Sequence, residues 1–208
     1  MTEKKLYIIR HGETDFNKNG YLQGSSIDSS LNDKGKEQAD LFFQAYKDIS
    51  FDKIYTSALK RSQESVAGFI EKGIPTEHYS EFNEINWGEM EGTQLNPISW
   101  IRLRRLAKKW KAGKTSVSIP GGESPIDVAK RQKPIIDLIL SREEEENVLI
   151  CMHGRAMRIL ICQILNKALN EMDQFKHTNL GLYVIAYDKE ANLIQMVKNN
   201  CRLHLLNS

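Results

Sequence analysis

Short apolar runs alternate with amphipathic stretches along the whole chain. Leu6-Tyr7-Ile8-Ile9 is a compact run of strand type, and Lys53-Ile54-Tyr55-Thr56 reads as a second strand. Between them Ala39, Phe42, Phe43 and Tyr46 recur at i, i+3, i+4 and i+7, which lines one face of a helix. Ser57 is placed to cap a helix that runs through Val66, Phe69 and Ile70 and stops at Gly73. Asn96-Pro97 is a strong helix start, an N-cap residue followed by proline at the first helical position. The helix after it buries Leu103, Leu106, Ala107 and Trp110 and ends at Gly113. Ser124-Pro125-Ile126-Asp127 opens another helix, with an acid three residues after the cap. Pro134 lies inside that pattern and is expected to kink or shorten it. Residues 147–152 are almost continuously apolar, as in a strand covered on both faces, and a helix is predicted over about 154–165. Residues 182–187 and 193–197 read as strands joined through 188–192 in a hairpin. Strands alternating with helices predict an α/β sheet with helices on both faces, and the last hairpin makes the sheet mixed.

Composition narrows the class. At 208 residues the chain has the length of one domain, or two at most, and no Pro/Gly/Ser-rich linker divides it. Hydrophobic residues make up 40% and charged residues 27%, which is ordinary globular usage and argues against a largely disordered chain. No apolar run approaches the ~18 residues of a membrane span, and only a short one precedes Arg10, so neither a signal peptide nor a membrane helix is expected. Cys151, Cys162 and Cys201 are odd in number and widely spaced, which fits a reducing cytoplasm. The net charge of +2 is too near zero to imply nucleic acid by itself. The four glutamates 143–146 read as the solvated end of a helix or its loop.

The chemistry concentrates where strands end. Residues 6–9 run into Arg10-His11-Gly12-Glu13-Thr14, the strand ending at Thr56 runs into Ser57 and then Arg61, and residues 147–152 run into His153-Gly154. In open α/β sheets ligands bind outside the carboxyl ends of strands, and helix N-termini there offer N–H groups to anions. Two arginines and two histidines in one crevice make a site for a phosphate. Arginine's planar fork holds two phosphate oxygens at once, and a protonated histidine adds a donor. A neutral histidine attacks phosphorus directly, and an unperturbed pKa of about 6.5 leaves much of it neutral near pH 7. The leaving alkoxide then needs a proton from a carboxylic acid. Glu84, Glu89 and Glu91 are the candidates, in Glu84-Ile85-Asn86-Trp87-Gly88-Glu89-Met90-Glu91-Gly92, and the residues themselves do not choose among them.

These residues also carry a resemblance. Arg10-His11-Gly12-Glu13-Thr14, followed by Asn17 and Gln23-Gly24, resembles the opening motif of the histidine phosphatase superfamily, the phosphoglycerate-mutase-like fold. Leu31-Asn32-Asp33-Lys34-Gly35 with Gln38-Ala39, the block from Thr56 to Gln63 around Arg61, and the Glu84 segment resemble its next blocks. Pro120-Gly121-Gly122-Glu123-Ser124 and His153-Gly154 complete the series in the family's order. The resemblance implies His11 as the phosphorylated nucleophile, with Arg10, Arg61 and His153 as the rest of the phosphate pocket. It implies Glu84, the first acid of its block, as proton donor. Asn17, Gln23 and Gly24 match positions that contact phosphate or substrate, and Gly154 of the last block is grouped with them. It further implies a three-layer α/β/α sandwich with a mostly parallel mixed sheet and catalysis without metal or other cofactor. In that reading 1–208 is a single domain, and about 93–120 form a helical cap insertion within it that faces the substrate.

The expected activity is a phosphomonoester hydrolase acting on small phosphorylated metabolites, sugar phosphates and phosphoglycerates among them. The alternative is a phosphoglycerate mutase of the 2,3-bisphosphoglycerate-dependent type. Such mutases have a longer chain and an Arg-Tyr-containing acid block, whereas this block reads Glu-Ile-Asn-Trp-Gly. A metallohydrolase using His11, His153 and a glutamate is disfavoured by two arginines that would repel the cation. A phospho-ligand binding module without catalysis is disfavoured because every catalytic position holds a competent residue. His78, His177 and His204 sit in no matching block and are expected to be structural or solvated, Cys151 to be a buried inert thiol, and Trp100 and Trp110 to pack the cap. Arg102, Arg104, Arg105, Lys108, Lys109 and Lys111 form a basic helix face. It reads as a solvated face, as an electrostatic funnel for an anionic substrate, or least of all as a nucleic-acid contact. No membrane partner is expected, and the sequence sets no oligomeric state.

Overall fold

Strand order decides which loops of this chain meet. The computed structural model describes residues 3–191 and 193–206. Six strands form one sheet: β1 (Glu3–Arg10), β2 (Lys53–Ser57), β3 (Thr76–Tyr79), β4 (Asn147–Met152), β5 (Leu182–Asp188) and β6 (Leu193–Cys201). Their order is β3-β2-β4-β1-β5-β6, with the first four parallel and the last two antiparallel. Because β4 enters between β2 and β1, Arg10 lies level with Met152 and Thr56 level with Cys151. The loops that leave β1, β2 and β4 therefore start side by side.

Period-two alternation sends the strand side chains to opposite faces. Ile8, Ile150, Met152, Tyr183 and Ile185 pack on one side with α6 (Pro125–Ser141) and α7 (Gly154–Ile164). Ile9, Leu149, Cys151, Leu182 and Val184 pack on the other, against Phe42 of α2 (Asp33–Tyr46) and Phe69 of α4 (Ala67–Glu71). The result is the α/β sandwich, helices on both faces of a mixed sheet. Eight of the eleven residues of α7 are buried, and each large side chain so removed from water stabilises by about 1.5–3 kcal/mol. The fold also contains the short helices α1 (Asp15–Lys18) and α3 (Lys60–Glu64), and α5 (Pro97–Lys111), which buries Leu106 and Trp110 and leaves its basic face outward. Gly113, at φ 86°, turns the chain sharply out of α5.

The helix starts predicted at Asn96 and Ser124 are formed by side-chain caps, and Asp127 completes a capping box with Ser124. Three local expectations change, and one strand was not foreseen. The helix expected from Ser57 to Gly73 is two short ones, α3 and α4, and Ser57 ends β2 instead of capping it. Ser57 Oγ accepts the Leu59 N–H, Ser62 Oγ bonds back to the Leu59 carbonyl and Ser65 Oγ to that of Arg61, so hydroxyls compete with the helical ladder here. Pro134 does not shorten α6, which runs on to Ser141, and the proline sits on the exposed side of the helix. β3 has no apolar alternation to announce it and exists through its pairing with β2 at the sheet edge. Among the four glutamates, Glu145 is buried and accepts the Tyr55 hydroxyl at 2.7 Å, while Arg142 bonds both. The hairpin of β5 and β6 is formed as expected, although Asn192 in its turn lies outside the described residues.

Candidate active site

His11 leaves β1 at the sheet's carboxyl edge and is only 3% exposed. Its backbone N–H donates to the Met152 carbonyl at 3.0 Å, which ties it to the end of β4. Its Nδ1 lies 2.7 Å from the Gly12 carbonyl. A carbonyl only accepts, so Nδ1 carries the hydrogen and the lone pair of the neutral ring is on Nε2. Burial, then the charges of Arg10 and Arg61, hold the His11 pKa well below the usual histidine value. The close turn needs glycine: a Cβ on Gly12 would lie 2.6 Å from the Gly35 carbonyl oxygen at the start of α2.

Arg61 projects from the first turn of α3 and is fully buried. Its Nη1 donates to the Ile27 carbonyl at 2.5 Å, Nη2 to the Gly24 carbonyl at 3.2 Å, and Nε to His153 Nδ1 at 3.2 Å. Burial lowers its pKa to about 10, against the opposing pull of Glu84. Since His153 Nδ1 accepts from Arg61, its Nε2 carries the hydrogen and donates to Ser57 Oγ at 2.7 Å. His153 is thus neutral, its pKa also held well below the usual value by burial and then by Arg61. Its ring centroid is 5.1 Å from that of His11. In this arrangement both His153 nitrogens are engaged by protein groups. Arg10 completes the cationic wall: its Nε is buried without a hydrogen-bond partner among the described residues, and its Nη1 reaches His177 Nδ1 at 3.5 Å.

The three candidate acids separate clearly. Glu89 is exposed and pairs with Arg102. Glu91 accepts the Trp87 N–H at 2.9 Å and bonds Ser26, holding the turn. Glu84 faces the cleft beside Arg10, His11 and Arg61. Its Oε1 accepts the N–H groups of Ile85 and Ala156, both at 2.9 Å, and its Oε2 that of Arg155 at 3.0 Å. The N-terminus of α7, expected to be free for an anion, is therefore occupied by the Glu84 carboxyl group. Arg131 of α6 fixes this loop from behind, donating to the carbonyls of Glu81, Asn83 and Glu84 and to Glu123.

Asn17 and Gln23 line the same cleft of about 450 Å³, with Gly154 at its floor. Gln23 Nε2 donates to Thr14 Oγ1 at 2.5 Å and its Oε1 accepts from Ser29. Asn17 closes the capping box of α1 with Thr14 and accepts from Asn179, which itself donates to the His11 carbonyl at 2.9 Å. Gly24 lies outside the cleft lining, with its carbonyl on Arg61 and its Cα against Glu91. Gly154 is glycine because a Cβ there would come 2.7 Å from the His177 ring.

Sequence reasoning missed two wall residues. His177, expected to be structural or solvated, lines the cleft, and burial and then Arg10 lower its pKa to about 2. Arg155 lines it as well, with its guanidinium 5.2 Å over the Trp110 ring. Its place directly after His153-Gly154 was the available signal. Trp110 packs the interior as expected, but Trp100 stands in the cleft wall, 48% exposed. Cys151 is fully buried with its thiol pKa pushed up by burial, while His78 bonds Thr56 and His204 the Leu180 carbonyl. Among the described residues, no group of three or more His, Cys, Asp or Glu side chains is gathered as a metal-ligand set. No described helix is long and apolar enough to cross a membrane.

Known proteins resemble the chain over most of its length. The chain is 32% identical over 192 residues to mouse 6-phosphofructo-2-kinase/fructose-2,6-bisphosphatase 1, covering 90% of this chain and 39% of that protein. It thus spans well under half the length of that relative. It is 28% identical over 200 residues to phosphoserine phosphatase 1 of Hydrogenobacter thermophilus, covering 96% and 94% of the two chains. Among solved structures, the mycobacterial glucosyl-3-phosphoglycerate phosphatase superposes with a TM-score of 0.81 at 22% identity, over 96% of this chain and 100% of that one. The alpha-ribazole phosphatase from Shigella flexneri gives 0.80 at 22%, over 95% and 96%. At such identities the likeness shows the fold. The profile of the histidine phosphatase superfamily (branch 1) matches residues 6–200, and the chain belongs to that family.

Proposed function

We propose that this protein is a phosphomonoester hydrolase that works through a phosphohistidine on His11 and acts on small phosphorylated metabolites. The observation that carries the reading is the His11 ring. Its Nδ1–H is fixed on the Gly12 carbonyl, so the nucleophilic Nε2 is left for a cleft whose wall is Arg10 and Arg61. The guanidiniums hold the phosphoryl oxygens while Nε2 attacks phosphorus in line with the ester oxygen. As the N–P bond forms, the ring gains positive charge, which the Nδ1–H···O=C bond stabilises. The P–O bond breaks, and the leaving oxygen takes a proton from Glu84. Water then attacks phosphorus, gives its proton to the Glu84 carboxylate and releases phosphate, which returns Nε2 to its neutral state. His153 acts from behind by holding Arg61 through Nδ1, and Asn17, Gln23 and Gly154 border the phosphate, with Gly24 fixing Arg61. We further take 93–120 as a cap within a single domain, since Leu95 and Trp100 border the same cleft. Three free cysteines, two of them buried, fit a reducing cytoplasm.

The test is a rapid-quench pulse with a radiolabelled aryl phosphate. An acid-labile, base-stable phosphoprotein should form within the first turnover. His11→Asn should abolish it and lower kcat by about 10³-fold or more, as loss of a nucleophile does. Turnover retained in His11→Asn would overturn the mechanism. Return of the phosphoryl group to a second hydroxyl, without release of phosphate, would overturn the hydrolase in favour of a mutase.

A further inference from the structure

The cleft does not end at the phosphate wall. A second lobe of about 370 Å³ opens beside it, sharing Trp87, Trp100, Arg155 and His177 with the first. Its apolar side is made by the cap helix and the 22–95 region, through Leu22, Leu95 and Leu103. Its cationic side is made by Arg104 on α5 and by Arg155 and Arg158 on α7. Among the described residues, no carboxylate, amide or hydroxyl side chain lines this lobe. A sugar's hydroxyls each bring a donor that needs an acceptor, and donors left unpaired in a desolvated site cost about 1–3 kcal/mol each. The lobe supplies indole and guanidinium donors, aromatic faces and leucine.

Its charge is also unbalanced. Asp173 accepts from Arg155 Nη1 at 2.5 Å and from Arg158 Nη1 at 2.6 Å, one carboxylate for two guanidiniums. Arg158 Nε is buried with no hydrogen-bond partner, and Arg104 has neither a hydrogen bond nor an ion pair, both among the described residues. Arg158, half-buried with its Nε unpartnered, and Arg104, exposed at the rim without a counterion, leave the lobe with more cation than anion among the described residues, which favours an anion from outside.

Resting on the hydrolase reading above, we infer that the second lobe is the leaving-group site and selects phosphomonoesters of a flat apolar or aromatic alcohol that carries a second anion at its far end. The body of the leaving group lies between Trp87, Trp100 and the leucines. The distal carboxylate or phosphate is held by Arg104 and Arg155. Polyhydroxylated sugar monophosphates are poor substrates, because the lobe has donors for their oxygens and no side-chain acceptors for their hydroxyls.

Three primary-alcohol esters separate these features from leaving-group reactivity: benzyl phosphate, para-carboxybenzyl phosphate and a hexose phosphate, with para-(phosphonomethyl)benzyl phosphate as the second distal anion. The wild-type kcat/KM for one of the two anion-tailed esters should exceed that for benzyl phosphate by about tenfold or more, a difference of about 1.4 kcal/mol. Whichever gains more names the anion. The hexose phosphate should fall below benzyl phosphate. Arg104→Gln and Arg155→Gln should bring the tailed-to-untailed ratio toward unity. A ratio near one in the wild type, a ratio unmoved by both substitutions, or preference for the hexose phosphate would overturn the inference. The matching non-hydrolysable phosphonates, titrated by calorimetry, report the same ratio as Kd in the absence of turnover. If the phosphonates discriminate and no ester is hydrolysed, the hydrolase reading fails while the binding site stands.

Discussion

Four histidines have pKa values lowered first of all by burial: His11, His153, His177 and His204. Each is held neutral in the fold. In the unfolded chain they titrate at about 6.5, so below that pH the unfolded state binds protons that the folded state refuses. Their contribution to stability is therefore flat above about pH 7 and falls as the pH drops from about 6.5 toward the folded values, by up to about 1.4 kcal/mol per pH unit for each histidine. Urea titrations should give a lower midpoint at about pH 5.5 than at about pH 7.5, above the range where carboxylates titrate. Equal midpoints would contradict the burial argument. Arg10, His11, Arg61 and His153 could be picked out as candidates from the sequence because three strand ends lead into them. Their hydrogen bonding could not be. The tautomers of His11 and His153 follow from a carbonyl next in sequence in one case and from an arginine 92 positions away in the other.

At the level of elements, the loop carrying Glu84 is held from both sides. α7 offers it two N–H groups, and Arg131 of α6 grips the carbonyls behind it. Arg131→Leu leaves those carbonyls unpaired and lets the loop drift from the α7 N-terminus. The variant should lose about 1–3 kcal/mol of stability and about tenfold or more in kcat, since small misplacements of a reacting group are costly. A thermal melt and steady-state kinetics measure the two effects, and unchanged kcat in a destabilised protein would show that the loop is held without Arg131. Helices opened by Asn-Pro or Ser-Pro with a capping side chain were legible, because those signals act within one turn of chain. The split between α3 and α4 was not, since the competing serine hydroxyls are spent on carbonyls and on the Gly12 N–H from another strand's end. Nor was β3, which exists by pairing and not by pattern.

Across the whole molecule, a net charge of +2 conceals a strongly uneven distribution. Arg10, Arg61 and Arg155 border one cleft, Arg104 and Arg158 the lobe beside it, and the outer face of α5 adds further lysines and arginines. Such a field raises the local concentration of anions and is screened over about 10 Å at 0.1 M salt. Raising the ionic strength from about 20 to about 200 mM should lower kcat/KM for a phosphomonoester several-fold with kcat little changed. A salt-independent kcat/KM would return the α5 face to the role of a solvated surface. The alternation of strands and helices, the caps and the set of candidate arginines, histidines and glutamates were legible in the sequence, because periodicity and side-chain chemistry are local properties. Folding decided the rest. The insertion of β4 between β1 and β2 brought His153 against His11. The docking of the 81–92 loop singled out Glu84 from three glutamates. The approach of α5 to the start of α7, with Arg155 over the Trp110 ring, turned Trp100, Arg104 and Arg155 into walls of one cavity. Each of these joins residues far apart in the chain, through contacts that only the closed sandwich makes.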